Sequence, residues 1–573
     1  YYHILILPLH MDNQKNLLLA VVFSLFVLIG YDFFFNPKTQ MKTQEELPKN
    51  PVVVPKTDEN IPTLESKESI SIGRNKEKRI NFESKRLEGS INLYGATFDE
   101  LFLKDYFRTI GKNEKIQILS NASSEKPYFL RLGWASTDRS LEMPGKDSLW
   151  KAEKNEFKTG EEIKLSWNNG KGIEFERKIN VDDNFMISVE DEVINKSGKT
   201  VEITNFSYLR RKNYRPANKF FILHEGPLGV FNDTLKEVTY DEIEEENEIV
   251  EVTKNGWIGF TDHYWQVAIF PENDKPFKAR FKNLENNPNS VQIDFINESI
   301  QSLPNDGSMK IKSYVFAGAK EVPLIDKYIQ ELKINKLDLS VDFGWFYFLT
   351  KPLFYALHFL SGLSGNFGIG IIILTICIRV LLFPLANKSF KSMNAMRILT
   401  PEIQRLRERY KDDKAKMNQE MFAMYKEKKI NPASGCLPIL IQIPIFFALY
   451  KVLFVSIEMR HAPFFGWIKD LSAPDPTSLF NLFGLIPWDP PMFLTIGIWP
   501  ILMGLTMYLQ QKINPPPPDP IQAKIFMMLP FIFTFLLATF PSGMVVYWTI
   551  NNILSIAQQY FLLKKQKADN PVS

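Results

Sequence analysis

The sharpest chemistry in this chain belongs to an arginine in an apolar run. Arg379 sits within IIILTICIRVLLFPLA, which holds no acidic residue. Placing a guanidinium in a bilayer costs about 2.5–3.5 kcal/mol on insertion scales, so such a group faces a protein interior or a wet cavity. The predicted span ends at Ala386, which leaves Arg379 roughly 10 Å short of the interface, beyond comfortable snorkelling reach. Thr375 lies one turn earlier on the same helix face. Gln442 falls early in the next apolar run, and in the last one Trp548, Asn552, Ser555 and Gln559 step by four, three and four. A polar stripe of that kind serves interhelical hydrogen bonding or lines a wet groove. With no Asp or Glu in any of these runs, the Arg379 charge calls for water or an acidic client, which favours the groove. Lys451, nine residues after Gln442, points to the opposite face and is expected to snorkel outward.

Enzyme chemistry finds no support. Ser197-Gly198-Lys199-Thr200 has Val193 where a phosphate-binding loop needs glycine, and it lies between strands. Gly362-Leu363-Ser364-Gly365 matches the short motif of intramembrane serine proteases, yet no histidine falls in a predicted span to act as base. His224 and His263 share no catalytic spacing and read as packing or surface residues. No metal or cofactor site is expected.

Three kinds of material position these residues. After a short segment 1–16, of which 1–10 precede a candidate start at Met11, residues 17–35 form an apolar stretch long enough to anchor in a ~30 Å core. Bulky Phe33, Phe34 and Phe35 replace the small residues of a cleavage site. Residues 36–82 have linker composition. From 83 to 335 the pattern has period two: Ile173, Phe175, Ile179 and Val181, interrupted by Arg177; then Phe185, Ile187, Val189 and Val193; then Val291, Ile293 and Phe295. Asn168-Asn169-Gly170-Lys171-Gly172 is a hairpin signal. A large all-β sandwich is predicted.

Beyond residue 340 the aromatic stretch 341–363, interrupted by Pro352, reads as an interfacial amphipathic helix. Apolar spans follow at 366–386, 437–457, 492–511, 525–540 and 543–563, six transmembrane helices with the anchor. The span 525–540 is short, about 24 Å, which implies local thinning. Residues 386–430 hold 12 Lys/Arg against 6 Asp/Glu, which places this loop in the cytoplasm. Alternation puts the β-domain and the loop 458–491 outside, and the turn 512–524 and the basic tail 564–573 inside. The segment 387–430 has helical period, with a stripe of Met393, Met396, Ile403, Leu406 and Tyr410, a second of Met417, Met421 and Met424, and Asp412-Asp413 as turn and cap between them. It reads as a basic helical hairpin able to dock a polypeptide or a ribosome, its methionines an adaptable surface.

Whole-chain averages hide this layout. The chain has 573 residues, 45% hydrophobic, and 68 basic against 65 acidic side chains. That balance excludes nucleic-acid binding through bulk charge. Its two cysteines, Cys377 and Cys436, fall at the predicted membrane core and exclude a disulfide framework. A secondary transporter would show inverted repeats with broken helices, and none is legible; a sugar-active enzyme would need a His/Glu constellation in the β-domain.

The run from Gly365 to Gln559 resembles the YidC family of membrane protein insertases, which has mitochondrial and thylakoid relatives. The resemblance rests on Gly365-Asn366-Phe367-Gly368, Thr375 with Arg379, Pro384-Leu385, the arm Arg405-Leu406-Arg407-Glu408-Arg409, Asn431-Pro432 and Gly435-Cys436-Leu437-Pro438. Gln442-Ile443-Pro444-Ile445-Phe446, Leu471-Ser472-Ala473-Pro474-Asp475-Pro476 and Phe540-Pro541-Ser542-Gly543 extend it, as do Trp257-Ile258-Gly259 and His263-Tyr264 in the β-domain. It implies a five-helix insertase core and a periplasmic super-sandwich of galactose-mutarotase-like fold. It also implies a groove open to cytoplasm and lipid, with Arg379, Thr375, Gln442, Tyr547, Trp548, Asn552 and Ser555 as its residues. The docking hairpin would present Arg397, Arg405, Arg407, Arg409, Met417 and Met421. The implied host is a bacterial inner membrane, with both termini cytoplasmic and residues 36–340 periplasmic. The implied partners are nascent membrane proteins, the Sec translocon with its accessory subunits, the ribosome and the lipid bilayer, with nucleic acid met only through the ribosome. Departures are Trp548 where many members have a second tyrosine, Lys451 at an uncharged position, and an extended loop Leu479–Pro491.

Overall fold

The computed structural model describes residues 78–214, 223–272, 275–284, 289–344, 346–411, 413–428, 437–488, 490–491, 494–513 and 520–569, all within one compact unit, Glu59–Ser573. The predicted anchor 17–35, the region before Met11, nearly all of the linker, Asn431-Pro432, Cys436, Asp412 and residues 570–573 lie outside them.

Period-two sequence becomes two stacked sheets. Among the described residues one sheet has eleven strands, running from the edge strand Glu248–Thr253 through Ser290–Asn297, Val201–Lys212 and Tyr128–Ser136 to Arg79–Glu83 and Glu156–Lys158. The other has nine, from Thr234–Glu237 through Trp265–Phe270, Ser308–Ala319, Met186–Asn195 and Ile173–Val181 to Lys151–Ala152. The first strand starts at Arg79, so the linker ends sooner than its composition predicts. Rings meet across the two sheets: Trp134 with Phe175 at 6.4 Å, Tyr128 with Phe260 at 5.7 Å, and Phe231 with Phe281 at 6.1 Å. Each fully buried large apolar side chain contributes about 1.5–3 kcal/mol.

Arg177, the break in the alternating series, also points inward. It is fully buried, and its Nε donates to Asp191 Oδ1 at 2.6 Å on the neighbouring strand, where the two residues are in register. A second nitrogen donates to Leu132 O at 3.0 Å. A charge enters this core only because its partner enters beside it. The predicted hairpin joins Glu162–Asn168 to Ile173–Val181, with Asn169 Oδ1 accepting from the amides of Lys171 and Ile173, and Gly170 and Gly172 at positive φ.

Helix α1 (Val322–Leu332) closes the sandwich, burying Val322, Leu324, Ile325 and Tyr328. Helix α2 (Tyr347–Ser364) occupies the stretch where a helix is expected at 341–363, starting six residues later. Thr350, Phe354, Leu357 and Ser361 form a buried face, while Phe348, Phe359 and Leu363 stay exposed on the other. Gly365 turns the chain at φ 67°, and Asn366 caps α3 (Phe367–Leu381) by accepting from the Ile369 amide. A Cβ on Gly370 would lie 2.2 Å from Ser361 Oγ, so α2 and α3 touch backbone to backbone.

The span predicted at 366–386 stops at Leu381. The chain bends by 63° into α4 (Phe383–Arg409). Pro384 has no amide to give the Val380 carbonyl, and its ring clashes with a continuing helix. Helix α5 (Lys414–Glu427) follows, capped by Asp413 Oδ1 accepting from Lys416 N at 3.0 Å. Then come α6 (Leu437–Val455), α7 (Ile498–Ile513), α8 (Pro520–Leu537) and α9 (Ser542–Asp569), whose bounds replace those predicted for the later spans. Among the described residues no single helix is long and apolar enough to cross a membrane; α3 with the start of α4 passes only as a bent pair. The predicted short span 525–540 falls mostly within α8, whose apolar part Ala523–Leu537 is itself short.

Candidate functional site

Three helices bring the polar residues of the apolar region together. Arg379 lies in the last turn of α3, where the negative end of the helix dipole favours a cation. It is two residues from the helix end, because the bend at Leu382 shortens the predicted span. Half-buried, Arg379 reaches α9, with Nε donating to Asn551 Oδ1 at 2.9 Å and a terminal nitrogen to Asn551 O at 3.3 Å. Ser555 Oγ donates to the same carbonyl at 2.8 Å. One turn before Asn551, the buried Tyr547 hydroxyl accepts from Gln442 Nε2 of α6 at 3.1 Å. The hydrogen-bonded set therefore joins α3, α9 and α6. No carboxylate pairs with Arg379 among the described residues.

The remaining predicted groove residues lie elsewhere. Thr375 is buried, and its hydroxyl donates back to Ile371 O at 2.7 Å within α3. Asn552 turns away from Arg379, its amide 3.3 Å from Thr506 Oγ1 and 3.5 Å from Met503 O of α7. Trp548 packs between Phe446, 4.8 Å away, and Phe533, 5.6 Å away. Asn551 escapes the spacing argument because Trp548 and Asn552 of the predicted stripe face α8 and α7, and only its member Ser555 bonds to Asn551. The parallel series Tyr547, Asn551, Ser555, with steps of four, is the one that meets Arg379.

Lys451 does not snorkel. Its Nζ pairs with Asp342 Oδ2 at 2.6 Å, in the segment joining the β-domain to α2. Nearby, His263 Nε2–H donates to Phe454 O in the last turn of α6 at 2.8 Å, and burial holds its pKa down at about 4, so the ring is neutral. Arg460 donates to Phe107 O and lies over the Trp265 ring. Glu458 is half-buried with one carboxylate oxygen fully enclosed, and this desolvation, with Glu321 nearby, pushes its carboxyl up to about 7. The β-domain is thus seated on the α6 end by polar bonds to backbone.

In the hairpin of α4 and α5, Leu399, Ile403 and Tyr425 form a small core with Met421 and Met424 against it. Met421 is partly spent on holding the hairpin, and Met417 is half-buried. Arg405 and Arg409 are exposed and Arg407 is half-buried; the Arg397 side chain lies outside the described residues. The rejected enzyme leads occupy structural positions. Ser364 Oγ donates to Leu360 O, His224 Nε2 lies 2.9 Å from Pro227 O, and Gly198 turns at φ 78° between strands. Exposed apolar side chains run along α7 (Leu502, Leu505, Leu509) and α8 (Phe531, Phe535).

Comparison with known proteins agrees with this layout. Residues 359–569 match the family described as 60Kd inner membrane protein, and residues 79–356 match the YidC periplasmic domain. A membrane protein insertase YidC of Pelagibacter ubique is 44% identical over 96% of this chain and 99% of its own length. One from Rickettsia rickettsii is 42% identical with the same coverage. A crystal structure of an active YidC insertase with its first transmembrane domain resolved aligns with 85% of this chain and 93% of its own, at 18% identity and a TM-score of 0.36. This chain belongs to the YidC family of membrane protein insertases, inner-membrane proteins with a periplasmic domain.

Proposed function

We propose that this insertase works through the polar set around Arg379, and the observation that carries the reading is the Arg379–Asn551 pair beside Gln442–Tyr547. A half-buried guanidinium with a neutral partner keeps its charge uncompensated, and an acidic or polar client segment answers it. The hairpin α4–α5 receives the newly made chain. Its polar N-terminal part enters beside Arg379, where side chains substitute for water. The apolar part moves into lipid along α6 and α8. Hydrophobic transfer and the membrane potential, about 2.3 kcal/mol per charge per 100 mV, supply the energy. The step makes and breaks no covalent bond, so it needs no catalytic residue.

In this reading, residues 17–35 with α3, α6, α7, α8 and α9 make six spans, the last five forming the insertase core. Both termini and the hairpin α4–α5 are cytoplasmic, and the loop 458–491 is periplasmic beside the β-domain, whose stacked sheets suit a super-sandwich of galactose-mutarotase-like form. The ribosome and the Sec translocon with its accessory subunits are the expected partners beyond the nascent client.

The test is insertion of a short client with an acidic tail in depleted cells carrying Arg379→Ala or Arg379→Lys. A charge-assisted hydrogen bond is worth about 1.5–3 kcal/mol, so Arg379→Ala should lower insertion by roughly 10- to 100-fold. Arg379→Lys should retain most of it. Normal insertion with Arg379→Ala would remove the electrostatic centre from the account.

A further inference from the structure

We propose that the loop between Leu479 and Trp488 is a lipid-inserting finger that completes the apolar path of α7 at its N-terminal end. Three observations carry this, and it rests on α7 crossing the bilayer as proposed above.

The first is what the loop shows. Its sequence, LFNLFGLIPW, has no charged residue. Phe480, Leu482, Phe483, Leu485, Ile486 and Trp488 are all exposed, Leu485 at 84%. Leu482 and Phe483 adopt positive φ of 50° and 58°, a conformation disfavoured for side chains of this kind, within the turn that displays them. A loop meant for water would hold glycine or asparagine there.

The second is how the backbone is satisfied. Hydrocarbon offers no hydrogen-bonding partner, so irregular chain enters it only when its polar groups bond internally. Here Leu479 N donates to Ile496 O at 2.9 Å, closing the loop at its base. Phe483 N donates to Ser478 O at 2.8 Å, Ile486 N to Asn481 O at 3.0 Å, and Trp488 N to Ile486 O at 2.8 Å. The base is bolted to the start of α7, where the buried Asp475 accepts from Trp499 N at 2.9 Å and from Trp467 Nε1 at 3.0 Å.

The third is a length deficit. Helix α7 has 16 residues; at 1.5 Å each they cover about 24 Å, against a hydrocarbon core of ~30 Å. Lys512 in its last turn shortens the apolar part further. The finger stands at the opposite end of α7 from Lys512, and with α7 in a bilayer the exposed Leu502, Leu505 and Leu509 meet acyl chains, so acyl chains are the occupant proposed for the adjoining finger.

The experiment uses full-length protein with Cys377→Ser and Cys436→Ser, reconstituted alone in phosphatidylcholine vesicles. Single cysteines at Leu485, at Leu505 on α7, and at the exposed hairpin residue Lys171 carry an environment-sensitive fluorophore. The expected result is quenching by phospholipids with brominated acyl chains at Leu485 and Leu505, and quenching by aqueous iodide at Lys171 alone. Iodide quenching without bromolipid quenching at Leu485, while Leu505 stays lipid-quenched, would overturn the finger and leave the span intact. Protection of Leu485 that appears only after another membrane protein is added would overturn it in favour of a protein contact. Loss of lipid quenching at Leu505 would overturn the span and the finger together.

Discussion

Asn551 and Asn552 are neighbours in sequence with separate duties, because successive helical residues point about 100° apart. Asn551 holds the Arg379 guanidinium by side chain and carbonyl, whereas Asn552 ties α9 to α7. Asn551→Leu removes one acceptor from a charged donor and should cut client insertion by about tenfold or more, with the fold retained. Asn552→Leu should instead lower the melting temperature, with a loss of about 1 kcal/mol, and leave insertion per folded molecule near normal. Insertion assays paired with thermal melts of both variants separate the two roles; equal insertion defects would contradict the division. The presence of polar stripes on the last apolar run was legible in sequence, because uncharged polar residues are rare there. Which of two adjacent stripes meets Arg379 depends on helix rotation, which pattern alone does not encode. Lys451 was misread for a related reason: its partner Asp342 lies 109 residues away.

At the scale of elements, small residues and proline set the geometry that positions Arg379. Gly370 lets α3 lie against α2 at Ser361, and a methyl group there would meet Ser361 Oγ at 2.2 Å. Gly370→Ala should destabilise the protein by about 1–3 kcal/mol through overpacking, and Ser361→Gly in the same chain should recover part of that loss. A thermal melt of the single and double variants checks it; no recovery would place the clash elsewhere. The strands, the hairpin at Asn168–Gly172 and the helical hairpin after the bend were readable because each has a local period and a local cap. The bend itself was only half readable. Pro384 was visible, yet the apolar run continues through it, so hydropathy carried the span on to Ala386 while the helix had turned by 63°.

At the scale of the molecule, the β-domain and the helices share a seam of half-buried polar groups. Glu458, raised from 4.5 to about 7, is favoured in its protonated form in the folded protein. Its contribution is therefore full below pH 4.5 and is lost as pH rises through 7, on the order of 3 kcal/mol at most. Glu458→Gln should abolish that loss, so the variant should melt above the parent at pH 8 and with it at pH 5. Parallel pH dependences would exclude Glu458 as the cause. His263 carries the opposite sign, since its lowered pKa costs stability only as pH falls from about 6.5 toward 4. In the proposed mechanism a client passes Arg379. The most direct measurement is photocrosslinking of a stalled client bearing an acidic N-terminal segment. The crosslinker is placed at Ile376, exposed on α3 one turn before Arg379, and at Leu505, exposed on α7. Adducts of the acidic segment are expected at Ile376, lost with Arg379→Ala, and none at Leu505. Adducts at Leu505 without any at Ile376 would contradict it.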